Sequence, residues 1–288
     1  MTVTTYKDYV RDKIKNSDGS ITLTVPEGTK IITPLQREII NQNSKIKSFV
    51  TSRKQNKKFT FFNIEHDYND ISPETLCRLV YLSTYLRFGD NMLMATQRRA
   101  MKEDDIVKEL KIARSTYYLF KNETFGKYIL QNTSDNTYQI NKSVFKRNEL
   151  KKTDLNCWQR IYHNGFRALY NSNNSCKHNI IGKLLSLSQY LNVDNNVLCY
   201  NRFETNREHL KAFTIEDISL YLYSDTTRCH RLVKDLERLT YINENTKKRF
   251  CIFSDEKLIK NKNVYYNPEI IYGGFDPHTS GTTAFDVE

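Results

Sequence analysis

The chain has 288 residues, 39% of them hydrophobic and 27% charged, with a formal net charge of +11. That length accommodates two ordinary domains with their own cores, and the composition excludes a disordered chain. No apolar run reaches the roughly 18 residues of a membrane-spanning helix, and the positive balance suits a polyanionic partner.

The opening, "MTVTTYKDYVRDK", lacks the apolar stretch of a signal peptide. Residues 1–60 hold 12 Lys/Arg against 5 Asp/Glu, so +7 of the charge sits there. Ile21, Leu23 and Val25 alternate with Thr22 and Thr24, and Pro26-Glu27-Gly28 turns the chain before Lys30-Ile31-Ile32. This pattern predicts a β-hairpin. A short polar-basic helix and a basic linker, "TSRKQNKKF", complete a basic region over residues 1–66.

The stretch "RLVYLSTYLRFGDNMLM", Arg78 to Met94, returns 105 residues later as "KLLSLSQYLNVDNNVLC", Lys183 to Cys199, with seven identities. In the first copy Ser72 is a predicted N-cap with Pro73 behind it, and Leu76, Leu79, Val80, Leu82 and Leu86 fall at helical spacing. Gly89-Asp90-Asn91 breaks that helix before a short strand, "MLM". The likeness continues from Lys102–Phe125 into Thr214–Leu239 at a spacing of 112, the extra seven residues falling in the loop containing "NREHLK".

Each copy predicts a short helix, a tight polar turn and a second amphipathic helix opened by Ser115-Thr116 or Thr226-Thr227, a helix-turn-helix. A candidate hairpin follows each, with Ser134-Asp135-Asn136 at one tip and Asn245-Thr246-Lys247 at the other. Each copy closes on a related strand in which Asn141 matches Asn267. Residues 151–175 read as a joining helix with Trp158 as a core anchor, and 275–288 as a disordered tail. The expected fold class is mostly α with small β-hairpin wings (α+β), with two tandem winged-helix domains at 67–150 and 176–274.

The candidate DNA-contacting residues lie in the first turns of the second helices. They are Arg114, Ser115, Thr116, Tyr117 and Lys121 in one copy, and Thr226, Thr227, Arg228, His230, Arg231 and Lys234 in the other. Ser and Thr reach bases or phosphates, Arg pairs with guanine, and helix N-terminal amides hold phosphate. Lys247, Lys248 and Arg249 add backbone contacts from the second wing. Of Tyr117 and Tyr118, one faces the core and one the groove; periodicity alone does not choose.

The sequence has no Walker GxxxxGK[ST], no GxGxxG and no His-x-His pair, and its six histidines are dispersed. Asp104-Asp105 and Asp217 fit helix N-termini better than a metal. Cys77, Cys157, Cys176, Cys199, Cys229 and Cys251 are scattered without a CxxC, as suits reduced thiols in a cytoplasm. No catalytic residue, metal or cofactor is expected.

Over roughly residues 70–274, through "LKIARSTYYLFK", "YYNPEIIYGG" and the repeated "LxxLSxYL" helix, the chain resembles plasmid replication initiators built from tandem winged helices. It also resembles regulatory proteins of phages and plasmids from low-GC Gram-positive bacteria. The resemblance implies a monomer or homodimer that binds a specific double-stranded DNA site, its two modules on successive grooves of one face. A transcription regulator is the leading expectation, a replication initiator at origin repeats the alternative. A docking factor acting on host replication or transcription proteins is a further one. The expected location is cytoplasmic, on nucleoid, phage or plasmid DNA.

Overall fold

The computed structural model describes residues 12–15, 21–24, 58–148, 150, 156–243, 245–274 and 282–287. Two compact units divide the chain, residues 1–45 and 46–288. In the first, strand β1 (Asp12–Lys15) pairs antiparallel with β2 (Ile21–Thr24), setting Asp12 opposite Thr24 and Lys15 opposite Ile21. The alternating segment is therefore a strand, but the partner seen for it precedes it. The expected arm at Lys30-Ile31-Ile32, the basic helix and linker residues 51–57 lie outside the described residues.

The second unit is built from the repeat. The first copy runs β3 (Phe59–Asn63), α1 (Pro73–Ser83), α2 (Glu103–Leu110), α3 (Arg114–Thr124), a hairpin of β4 (Ile129–Asn132) and β5 (Thr137–Ile140), and β6 (Phe145–Lys146). The second copy begins with β7 (Trp158–Tyr162), α4 (His163–Asn171), α5 (Ser175–Ser186) and α6 (Ile215–Tyr223). It continues through α7 (Cys229–Glu237), β8 (Thr240–Asn243), β9 (Thr246–Arg249), β10 (Cys251–Phe253), β11 (Val264–Tyr266) and β12 (Ile271–Tyr272).

Four of these strands form one antiparallel sheet in the order β12-β7-β3-β6. Each copy lays its closing strand against its own opening strand, and the two opening strands pair at the centre. Phe61 faces Lys146 in its own copy, Arg160 faces Tyr272 in its own, and Phe61 and Arg160 face each other. A local two-fold axis therefore passes between Phe61 and Arg160.

Six of the seven identities have physical reasons in their side chains. Leu79, Leu82, Leu86 and Leu93, and their equivalents Leu184, Leu187, Leu191 and Leu198, are all fully buried in one hydrophobic cluster that runs through both copies. Burying each contributes about 1.5–3 kcal/mol. Ser83 and Ser188 donate to carbonyls three residues back, Val80 O at 2.7 Å and Leu185 O at 2.6 Å. The Ser83 and Ser188 carbonyls in turn accept from Thr60 Oγ1 (2.9 Å) and Gln159 Nε2 (2.6 Å) on the two central strands.

Asn91 and Asn196 both adopt positive φ, at 61° and 56°. Asparagine tolerates this region better than most residues. The Asn91 amide donates to Ile140 O (3.2 Å) and Phe145 O (2.6 Å), and its oxygen accepts from Arg147 N (3.1 Å). Asn196 makes the same three bonds to Tyr266 O (2.8 Å), Ile271 O (2.9 Å) and Gly273 N (2.9 Å). Tyr85 and Tyr190, the remaining pair, accept on their carbonyls the amides of Met94 (3.0 Å) and Cys199 (2.8 Å).

Helices α1 and α5 pack across the local axis. Ser72 caps α1 by accepting from Thr75 N, with Pro73 at its first position. A Cβ added at Gly182 on α5 would lie 1.7 Å from the Pro73 carbonyl oxygen, so the crossing requires glycine.

Three expectations need correction. The two copies share one cluster of buried side chains rather than holding separate cores joined by a helix. The joining segment is not all helix: Trp158–Tyr162 is a central strand, with helix only from His163. Apolar residues at 158, 161, 162, 166 and 169 mimic a helical period, but strand pairing with Phe59–Asn63 overrides it. Trp158 is buried beside Phe61 and Leu150. The tail is ordered at its end, where Thr282–Phe285 forms a 3-10 turn, Phe285 is buried and the Val287 amide donates to Lys247 O at 2.8 Å. Residues 275–281 lie outside the described residues.

Candidate nucleic-acid interface

The second halves of the two copies superimpose in their bonding. The amides of Met101 and Phe213 donate to the matched carbonyls of Leu93 and Leu198, both at 2.8 Å. At the next residue, Lys102 N and Thr214 N each donate to an aspartate three positions on, Asp105 (2.9 Å) and Asp217 (2.8 Å). These bonds satisfy a free amide at the start of α2 and of α6. The Arg99 guanidinium holds the Asp105 carboxyl down at about 2. Both helices end on a left-handed residue, Lys111 (φ 54°) and Ser224 (φ 53°), which turns the chain into the next helix.

That next helix is not capped as expected. Ala113 is the N-cap of α3 and makes no side-chain cap bond, so Ser115 and Thr116 already lie inside the first turn. In the second copy Asp225 caps a 3-10 turn over Thr226–Arg228, accepting from Thr227 N (2.8 Å) and Thr227 Oγ1 (2.7 Å). Helix α7 begins only at Cys229.

The spacing of 112 carries through both helices. Buried Tyr117, Phe120 and Thr124 on α3 match buried Cys229, Leu232 and Leu236 on α7. The opposite face of α3 carries Ser115, Tyr118, Leu119 and Asn122, all exposed and at i, i+3, i+4, i+7. Their equivalents are Thr227, His230, Arg231 and Lys234, exposed as well. Two matching stripes thus look outward from two matching helices, one neutral and one basic.

This phase sorts the candidate residues. Thr227, His230, Arg231 and Lys234 lie on the basic stripe, with Thr226 and Arg228 exposed at its start. Ser115 lies on the neutral stripe. Thr116 is half-buried beside it. Tyr117 does not belong there: its side chain is fully buried and its hydroxyl meets no partner among the described residues. Tyr118, 55% exposed, is the outward tyrosine.

Lys121 is turned away, at the position matching buried Val233. It binds Glu103 at 3.0 Å and lies over the Phe125 ring. Arg114 is exposed but pairs with Asp104. The acidic first turn of α2 therefore neutralises both cations of α3. On α7, Arg228 pairs with Asp225 at 3.2 Å and Arg231 reaches Asp235 only at 3.9 Å, with 82% of its side chain exposed. Such exposed pairs, Arg114–Asp104 included, are worth about 0–1 kcal/mol and give way easily.

The expected second wing is displaced. Hairpin β4–β5 is met by the strand at Met92, which bridges Gln139 on β5. In the second copy the equivalent Val197 bridges Tyr265 on β11, so β10–β11 is the counterpart of β4–β5. The Asn141 side chain confirms the register, donating to Lys127 O at 3.1 Å as Asn267 does to Arg249 O at 3.0 Å. Hairpin β8–β9, which carries Lys247, Lys248 and Arg249, is an insertion without a partner in the first copy. Lys248 is occupied by Glu269 at 3.0 Å and Asp286 at 3.6 Å.

The loop of the true counterpart exposes Lys257 and Lys260, together with Asp255 and Glu256. Sequence reasoning missed these two lysines, along with Leu119 and Asn122, and left Tyr118 undecided against Tyr117. The signal that would have found Tyr118, Leu119 and Asn122 is the helical phase set by Tyr117 and Phe120.

Compared with protein-family models, curated protein sequences and solved structures, the chain matches none. Among the described residues, no helix is long and apolar enough to cross a membrane.

Proposed function

We propose that this is a sequence-specific double-stranded DNA-binding protein, each copy a winged helix whose second helix enters a major groove. The observation that carries the reading is the pair of matched outward stripes, Ser115/Tyr118/Leu119/Asn122 and Thr227/His230/Arg231/Lys234, at equivalent places in the two copies. Each follows a capped helix and a left-handed turn, an arrangement that braces a recognition helix. Arg228, Arg231 and Lys234 supply hydrogen bonds and charge, and Lys257 and Lys260 extend the phosphate contact from the neighbouring loop.

The protein acts by occupying its site, in the cytoplasm, as a transcription regulator of phage or plasmid type. Origin repeats are the alternative target. Because both copies share one core, their spacing on DNA is set by the protein body rather than by a tether.

Titrating a labelled random-sequence duplex pool at rising salt tests the reading. Affinity should fall with a log–log slope corresponding to roughly four to eight phosphates. A flat dependence would remove DNA as the ligand. Genomic footprinting of the tagged protein then separates promoters from an origin.

A further inference from the structure

We infer that the two helices read chemically different half-sites: α3 an A·T-only half through Ser115, Tyr118, Leu119 and Asn122, and α7 a guanine-containing half through Arg231. This rests on the DNA-binding reading above.

The inference follows from comparing equivalent positions. At the four places where α7 presents Thr227, His230, Arg231 and Lys234, α3 presents a hydroxyl, an aromatic ring, an isobutyl group and an amide. Leu119 is 65% exposed, and Tyr118 stands beside it. Two large apolar groups on a helix face that meets a groove need an apolar feature to cover. In the major groove the C5-methyl of thymine is that feature.

Asn122, one turn on from Leu119 along the same face, brings the carboxamide that pairs bidentately with adenine N6 and N7. The guanine-reading groups are missing from this stripe. Arg114 and Arg228, exposed at the starts of the two helical segments, are each paired to an aspartate, Asp104 and Asp225, so the difference lies in the stripes themselves, and Lys121 is turned inward to Glu103. Both adjacent hairpin loops carry exposed acids, Asp135 in the first copy and Asp255 and Glu256 in the second, so the contrast between the copies rests on the helices. On α7 the balance reverses: Arg231 is held by one long contact to Asp235, and His230 and Lys234 have no ion pair among the described residues. Guanine recognition therefore belongs to the second copy.

The experiment uses the full chain. Its preferred site is selected from a random duplex pool, and affinities are then measured on the selected duplex and on versions with thymine replaced by deoxyuridine in one half at a time. In the half assigned to α3, each contacted methyl removed should weaken binding about fourfold, the worth of one apolar carbon. Leu119→Ala should weaken the natural duplex comparably and abolish its sensitivity to deoxyuridine there. Asn122→Ala should cost about tenfold, confined to adenine positions in that half. Arg231→Ala should relax only the guanine-containing half.

Failure of the pool to yield any preferred duplex would sink the DNA-binding reading and this inference together. A preferred site in which Leu119→Ala and deoxyuridine both leave affinity unchanged overturns this inference alone, the stripe then facing a protein. So does a site whose α3 half requires guanine. The deoxyuridine measurement uses the unaltered protein, so no folding defect can obscure it.

Discussion

Replacing Gly182 by alanine tests whether the two copies form one body. The added Cβ would meet three backbone atoms of Pro73 at 1.7, 2.3 and 2.9 Å, distances that side-chain rotation cannot relieve. Helices α1 and α5 must then separate, and the fully buried leucines beneath them lose close contact. Overpacking of this kind costs typically about 1–3 kcal/mol, and more when backbone must move. Against it, alanine is favoured over glycine within a helix by about 0.8–1 kcal/mol. The clash with backbone puts the first effect near or above its upper end, so the net loss should be about 2 kcal/mol. For a unit of this size each kcal/mol lowers Tm by roughly 2–4 °C, giving a drop of about 4–8 °C. Differential scanning calorimetry should show one transition for residues 46–288, shifted as a whole. Cys176→Ala, at an exposed site on the same helix, should change little. If Gly182→Ala melts at or above the parent temperature, the helix propensity gain has gone unopposed and the close crossing is wrong. Two separated transitions would refute the shared core.

Two further outcomes follow from single residues. His163 is buried against Thr60 Oγ1 at 2.9 Å, and burial, reinforced by Arg147, Arg167 and Lys58, pushes its imidazole down to about 2. Its folded value lies below the unfolded 6.5, so its contribution is complete above pH 6.5 and is lost as pH falls towards 2, by up to about 1.4 kcal/mol per pH unit. Urea melts at pH 7 and 4.5 should differ by about 2–3 kcal/mol more in the parent than in His163→Gln, and equal differences would count against a buried neutral histidine. Phe285→Ala should release the last residues from hairpin β8–β9, seen as faster hydrogen exchange at the Val287 amide with little change in global Tm. Unchanged exchange would show that Phe285 does not anchor the tail.

What was legible in the sequence was the interior of the repeat. Buried leucines and the Asn141/Asn267 pair are dictated by burial and local bonding and keep their residue type in both copies, and the Ser72 cap is dictated by local bonding in the first. The strand at Trp158–Tyr162 was not legible, because its preference is decided by a partner about 100 residues away. The second hairpin misled for a related reason: β8–β9 has the expected length and polar tip, and only its lack of the Val197 bridge shows it to be inserted. Residue type points Lys121 and Tyr117 towards DNA, whereas their roles are set by helical phase. The burial of Phe120 and Thr124 turns Tyr117 inward, and the match to Val233 withdraws Lys121 from the exposed face. Reading phase before chemistry would have selected Tyr118, Leu119 and Asn122.

The division between what the two copies share and where they differ bears on why they are fused. A homodimer of one module would carry the same stripe twice and read a palindrome, since the operator mirrors the protein two-fold axis. Here the axis between Phe61 and Arg160 is kept by the central sheet, by Asn91 and Asn196, and by the paired Ser83 and Ser188. These contacts are symmetric. The exposed stripes are not: a leucine faces out where an arginine does in the other copy, and an asparagine where a lysine does. Covalent fusion lets one face of the pseudo-dimer change without the other, which identical subunits cannot do. On the DNA-binding reading, the consequence is a directional site that has a defined left and right end. Such a site orients the bound protein relative to whatever lies beside it on the duplex, so that one monomer can point, which a symmetric dimer on a palindrome cannot.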